Sequence, residues 1–298
     1  MIGLFDSGFG GLTVLRAVAD ALPKRRFLYL GDHAAAPYGN RDPEDIDRLT
    51  RRSVEILFDR GCRLVVLACN TAAATSLRRL QQEWLPRHYP DRRILGVLVP
   101  MVEAITGVPW MADLPARPRR EKERLIAVFA TRRTVQSNAY PAEIGKRAPE
   151  VTVVQQACPE LVDLIEAGAV RAELGAAVRR YAAALMERLN GRRPDVVMLG
   201  CTHYPLAADL FAEALPPGID ILSQPDLVAR SLSAYLTRHP EIDTTAIPAG
   251  IQFLTTGDPL RTSALGSQFF GRPVTFTAAE EPAPSQRPIF AAGTAPEW

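Results

Sequence analysis

The sequence predicts an α/β protein of two pseudosymmetric parallel-sheet domains that face each other across a cleft. Three observations lead there. Short apolar, β-branched runs alternate with amphipathic stretches, the pattern of parallel strands joined by right-handed helical crossovers. The 298 residues exceed one small core and suit two domains of roughly 100–150 residues each. A weak internal repeat sets the same pattern down twice, in the same order.

Taken in order, Ile2–Phe5 reads as a buried parallel strand and Leu12–Leu22 as the amphipathic helix after it. Phe27–Leu30, Leu64–Ala68 and Ile94–Val97 are the next strands, with helical stretches at Pro43–Arg60 and Ala72–Leu85 between them. Val108–Lys122, rich in Pro, Arg and Ala, breaks the rhythm and reads as a linker or surface excursion between two halves. The rhythm returns with strands Leu125–Ala130, Val151–Gln155 and Val196–Leu199. After Ala278, Pro and Ala without periodicity predict a poorly packed tail.

The repeat joins these elements. Ile2-Gly-Leu-Phe-Asp6-Ser7 matches Ile126-Ala-Val-Phe-Ala130-Thr131, and Val65-Val-Leu-Ala-Cys69-Asn-Thr71 matches Val197-Met-Leu-Gly-Cys201-Thr-His203. Pro37-Tyr38 falls near the register of Cys158-Pro159. A single four-residue apolar match arises by chance between buried strands. Two in the same order, each ending on a small polar residue or Cys, favour duplication. Halves related in this way would each offer a cysteine at the C-terminal end of a strand, where open parallel sheets bind ligands.

Composition narrows the function. Hydrophobic residues make up 47% and charged residues 23%, ordinary for a soluble globular chain. With 35 basic and 33 acidic residues the net charge is +2, which gives no reason to expect nucleic acid as a partner. No apolar run reaches the roughly 18 residues that span a membrane, and the N-terminus lacks the basic region of a signal peptide, so the cytoplasm is expected. Cys62, Cys69, Cys158 and Cys201 show no metal-ligand spacing with the histidines and are expected as free thiols, with no metal bound.

Every motif that could carry chemistry sits at a strand end. Asp6-Ser7-Gly8-Phe9-Gly10-Gly11 opens a helix, and its glycines permit close backbone approach. Its spacing is neither a dinucleotide fingerprint nor a P-loop. Cys69-Asn70-Thr71 ends a strand and starts a helix, whose partial charge lowers a thiol's pKa from about 8.5. Asn70 and Thr71 add donors suited to a carboxylate. Cys201-Thr202-His203 repeats the arrangement. One such cysteine is commonly a small buried hydrophobe; two at equivalent ends favour paired chemistry. His203 reads as a helix-start residue, a ligand or, the favoured role, a general acid/base helper. Asp6 reads equally as a helix cap or an acid that orients a thiol. Tyr38-Gly39 reads as an ordinary turn or a binding loop. Cys62 reads as structural; Cys158, before Pro159 at a strand end, reads as structural or, less favoured, as a direct participant; His33, His88 and His239 read as surface residues.

Together, Asp6-Ser7-Gly8-Phe9-Gly10-Gly11, Pro37-Tyr38-Gly39, Ala68-Cys69-Asn70-Thr71, Ala130-Thr131-Arg132-Arg133-Thr134-Val135, Ala157-Cys158-Pro159 and Leu199-Gly200-Cys201-Thr202-His203-Tyr204-Pro205-Leu206 resemble the aspartate/glutamate racemase superfamily, on its glutamate branch. Thr255-Thr256-Gly257-Asp258-Pro259 is similar to that family's closing strand and turn, so the resemblance runs from residue 2 to about residue 271. It implies a two-domain α/β fold with the active site in the cleft, a glutamate substrate, no cofactor, a possible homodimer, and D-glutamate supply for peptidoglycan. The implied domains are residues 1–98 with 208–277, an inserted domain 99–207, and a tail 278–298. By this resemblance Cys69 takes the proton from D-glutamate and Cys201 from L-glutamate, with Asp6 and His203 as helpers. Ser7, Tyr38, Gly39, Asn70, Thr71, Thr202 and His203, joined by Thr131 and Thr134, would bind substrate. Ser223-Gln224 departs from the family's more frequent Asp-Ser pair.

The chemistry suits two thiols. An amino-acid α-proton is far less acidic than a thiol, so the carbanion needs stabilisation and exclusion of water. One thiolate removes the proton while a thiol on the opposite face returns one, with inversion. The rivals are a sister enzyme acting on aspartate, a hydantoin or maleate, a thiol hydrolase using Cys201 alone, and a silent binding protein. His203 argues against aspartate, because aspartate racemases usually carry Glu after Cys-Thr. A hydrolase leaves Cys69 without a role.

Overall fold

The computed structural model describes residues 1–109, 123–242 and 248–279. Residues 110–122 of the expected linker and 280–298 of the expected tail lie outside the described residues. Ten strands follow: β1 (Ile2–Asp6), β2 (Arg26–Gly31), β3 (Leu64–Leu67), β4 (Arg93–Gly96), β5 (Arg124–Ala130), β6 (Val151–Ala157), β7 (Val196–Gly200), β8 (Asp220–Leu222), β9 (Gly250–Thr255) and β10 (Phe276–Ala278). The helices are α1 (Gly11–Ala21), α2 (Pro43–Asp59), α3 (Asn70–Arg79), α4 (Leu85–His88), α5 (Leu98–Thr106) and α6 (Arg132–Ser137). They continue with α7 (Ala139–Arg147), α8 (Leu161–Glu166), α9 (Arg171–Arg188), α10 (Ala208–Ala214), α11 (Gln224–Arg238) and α12 (Pro259–Phe270). No described helix is long and apolar enough to cross a membrane.

The strands form two parallel sheets, ordered β10-β9-β2-β1-β3-β4 and β6-β5-β7-β8. The order β2-β1-β3-β4 therefore recurs as β6-β5-β7-β8. The register recurs too. Ile2 lies opposite Leu64 and Phe5 opposite Leu67, while Ile126 lies opposite Val196 and Phe129 opposite Leu199. Ile2, Phe5 and Leu67 are aligned by the sequence repeat with Ile126, Phe129 and Leu199, and Leu64 and Val196 extend that alignment by one residue. One detail differs from expectation: the counterpart of Cys158 is Asp32, not Pro37-Tyr38. Asp32 N–H donates to the Asp6 carbonyl at 3.0 Å and Cys158 N–H to the Ala130 carbonyl at 2.9 Å, so each is the first residue after its strand.

β8 pairs with β7, which puts Asp220–Leu222 in the second sheet, beyond the expected boundary at residues 207/208. The chain returns to the first half at α11, which packs against α1 and α5. Strand β5 explains why both halves needed continuous apolar runs. Ile126, Val128 and Ala130 point into the large core shared with the first sheet, while Leu125, Ala127 and Phe129 point into a second core with α8, α9 and α10.

Candidate active site

Cys69 follows β3 and caps α3, because the parallel strand ends where the helix must begin. Its Sγ accepts from the Ala72 N–H at 3.5 Å and lies 3.3 Å from Ser7 Oγ. The expected lowering of its pKa does not occur. Burial, reinforced by the nearby Asp6 carboxylate, pushes the thiol up to about 12, against the weaker pull of Ser7 and Ala72. Helix charge loses here because Cys69 is only 5% exposed.

Cys201 follows β7, but no α-helix starts beside it; a 3-10 turn, Tyr204–Ala207, comes first. Its sulfur is instead served by a side chain: His203 Nδ1 lies 3.8 Å away. The other ring nitrogen, Nε2, sits 2.7 Å from Glu166 Oε1 at the end of α8. Burial disfavours a charged imidazole, yet the bonds to Cys201 and Glu166 outweigh it and hold His203 up at about 10. Burial also works against the Glu166 carboxylate, and its bond from His203 overcomes that and keeps its pKa low. Sequence reasoning missed Glu166, since nothing local ties an acid in an exposed-looking helix to a histidine in another strand's loop.

Asp6 ends β1; the N-cap of α1 is Gly10, without a side-chain cap, and Asp6 bonds to the turn and to Thr202 instead. Its Oδ1 accepts from the Gly8 N–H at 2.8 Å, closing the turn into α1, and its Oδ2 accepts from Thr202 Oγ1 at 3.3 Å. Burial raises its pKa, against the pull of His203 and of backbone N–H groups. The glycines after it make room for this packing. A Cβ on Gly10 would lie 2.4 Å from the His203 ring, and one on Gly11 would lie 2.5 Å from the Asp6 side chain.

Both thiols line one cleft of about 470 Å³, part of it open to solvent. Ser7, Asn70, Thr71, Thr202 and His203 line it beside them. Tyr38 and Gly39 lie on a 3-10 turn at its wall, with the Tyr38 hydroxyl donating to Asp32 Oδ2 at 2.6 Å. Thr131 lines it from the second half, and its hydroxyl lies 3.0 Å from that of Thr71, so the two halves touch through hydroxyls. Thr134 is bonded behind Thr131 at 3.0 Å rather than lining the cleft. Asp6 is likewise behind the lining. Arg132, Val162 and Asp163 also line it and were not anticipated.

Cys62 and Cys158 are buried away from the cleft lining, and all four cysteines are free thiols. His33 is not a surface residue. It is half-buried, with its ring 4.3 Å from that of Phe9 and its Nδ1 2.9 Å from Thr255 Oγ1. Phe9 in turn stacks at 5.3 Å on Phe269, whose ring meets His203 edge-on at 5.8 Å.

Two like halves thus each bring a thiol to one cleft. The family model for Asp/Glu/hydantoin racemases matches residues 10–231, and the chain belongs to that family of isomerases as an amino-acid racemase. A glutamate racemase of Phenylobacterium zucineum is 47% identical over 284 residues, covering 93% of this chain and 99% of its own. One from Roseobacter denitrificans is 49% identical over 279 residues, with the same coverage. The crystal structure of a glutamate racemase isoform from Bacillus anthracis is 30% identical with a TM-score of 0.79, covering 94% of this chain and 97% of its own.

Proposed function

We propose that the protein interconverts L- and D-glutamate by proton transfer between Cys69 and Cys201. The observation that carries this reading is the convergence of the two thiols, from register-equivalent strands, on one cleft. The glutamate racemases among its relatives supply the substrate. In the L-to-D direction Cys201, without its proton, takes the α-proton of L-glutamate. The C–H electron pair stays on the α-carbon, and Cys69, which burial keeps protonated, delivers its proton to the opposite face. The product is D-glutamate, with Cys201 protonated and Cys69 as thiolate. Exchange with His203, Asp6 and water resets the pair. Ser7, Asn70, Thr71, Thr131 and Thr202 offer short donors for the substrate carboxylates, and Tyr38 and Gly39 shape the wall. The reaction as written needs no added cofactor.

The segments flanking the substrate would be residues 1–98 with 224–242 and 248–279, and the second-sheet segment 124–222. The expected setting is the cytoplasm, where D-glutamate would feed peptidoglycan synthesis, with the protein as a possible homodimer. Circular dichroism of purified protein with L-glutamate and then D-glutamate tests the activity. Both solutions should decay to zero ellipticity. An unchanged signal from both enantiomers would end this reading.

A further inference from the structure

Ser223-Gln224 has no part in the function proposed above, yet Gln224 is wholly buried at the start of α11, where the chain returns from the second sheet to the first half. Its amide pairs reciprocally with that of Asn70. Asn70 Nδ2 donates to Gln224 Oε1 at 2.6 Å, and Gln224 Nε2 donates to Asn70 Oδ1 at 2.7 Å. The hydroxyl of Tyr140, buried in α7, donates to the same Asn70 Oδ1 at 2.8 Å and accepts from Gln224 Nε2 at 3.3 Å. An asparagine amide has two N–H groups and two oxygen lone pairs. Both lone pairs and one N–H of Asn70 are thus engaged inside the protein. One N–H remains, on a residue that follows Cys69 and lines the cleft.

We propose that Gln224, with Tyr140, is a positioning residue: it holds the Asn70 amide so that its remaining N–H faces a substrate carboxylate. The proposal rests on the reading of the cleft as a glutamate site. Left unpaired, the Asn70 amide could turn and present its oxygen to that anion, which repels it. A buried network with every member satisfied selects one orientation. Its members come from α3, α7 and α11, so the direction of this donor depends on both sheets being in place.

Gln224→Met keeps the length and bulk of the side chain and removes its hydrogen bonds. With wild type as the active reference, it should raise KM for both glutamate enantiomers roughly tenfold while kcat changes by less than about threefold. Asn70→Ala should raise KM by itself, and adding Gln224→Met to it should change KM by less than about twofold. Tyr140→Phe, which removes a single hydroxyl, should raise KM roughly threefold and run the same cycle if Gln224→Met does not fold. Two results overturn the role. One is that the substitutions multiply in the cycle; the other is that the melting temperature falls with KM unchanged. A wild type that does not racemise glutamate would overturn the proposed function and this role together, and is distinguished from them by the reference assay.

Discussion

His203 holds its proton because two bonds, to Cys201 and to Glu166, outweigh the cost of burying a cation. Glu166→Gln keeps the shape and removes the charge. Without the carboxylate the pKa near 10 should fall, and the alkaline limb of the pH–rate profile should move down by about one unit or more. An alkaline limb that stays in place would separate Glu166 from the chemistry. The thiols can be told apart as well. Cys69→Ser and Cys201→Ser should each lower racemisation by roughly 10²–10⁴-fold, the usual worth of a positioned acid or base. Elimination of chloride from 3-chloroglutamate needs only one proton abstraction. Cys69→Ser should retain it for the L-isomer and Cys201→Ser for the D-isomer, and the opposite pairing would reverse the assigned faces. At this scale the sequence pointed to Cys69, Cys201, Thr202 and His203, which line the cleft, because each adjoins a strand end. It did not disclose Glu166 or Asp32, and it marked Gln224 only as a departure from the family's pair, because the partners of all three are fixed by tertiary packing.

The loop from β1 into α1 shows how an element serves the site. Gly10 has ordinary helical backbone angles, φ −57° and ψ −38°, so a side chain there meets no conformational penalty, only His203 and Thr202. Gly10→Ala should therefore fold and lose roughly a hundredfold in kcat/KM through displacement of His203. Near-wild-type kinetics would show that the ring tolerates the shift. Helix α12 is anchored by Asp258, whose Oδ1 accepts from the Arg261 N–H at 2.8 Å. Asp258→Ala should cost about 1 kcal/mol in denaturant unfolding. The first seven strands were legible because each carries a short apolar or β-branched run, although β6 is mostly half-buried. β8 was not, since its three residues, Asp220–Leu222, are too short and too exposed to show a period. The helix expected after Cys201 failed for a related reason: Pro205 and the turn around it delay α10 to Ala208.

The molecule as a whole is one pattern used twice, then joined by a core to which both sheets contribute. The sequence carried that pattern in its order and spacing, and the structure adds the equivalent pairing of Ile2 with Leu64 and Ile126 with Val196. What it could not carry was the course of the chain between the halves, which depends on how α11 packs against α1. A site assembled from both halves has one fixed span for its ligand. Glutamate should accordingly be turned over at least about tenfold faster than aspartate, one methylene shorter. Comparable rates by circular dichroism would overturn the substrate and leave the two-thiol mechanism standing. The repetition is imperfect in one respect: Cys69 leans on Ser7 and a backbone N–H, Cys201 on His203, which Glu166 holds from behind. Mirror-image molecules have equal free energies in water, so the equilibrium ratio of a racemisation is one. No inequality between the thiols can then favour a product. It can only divide each direction's efficiency differently between saturation and turnover, and damage done on either side must slow both directions by the same factor in kcat/KM.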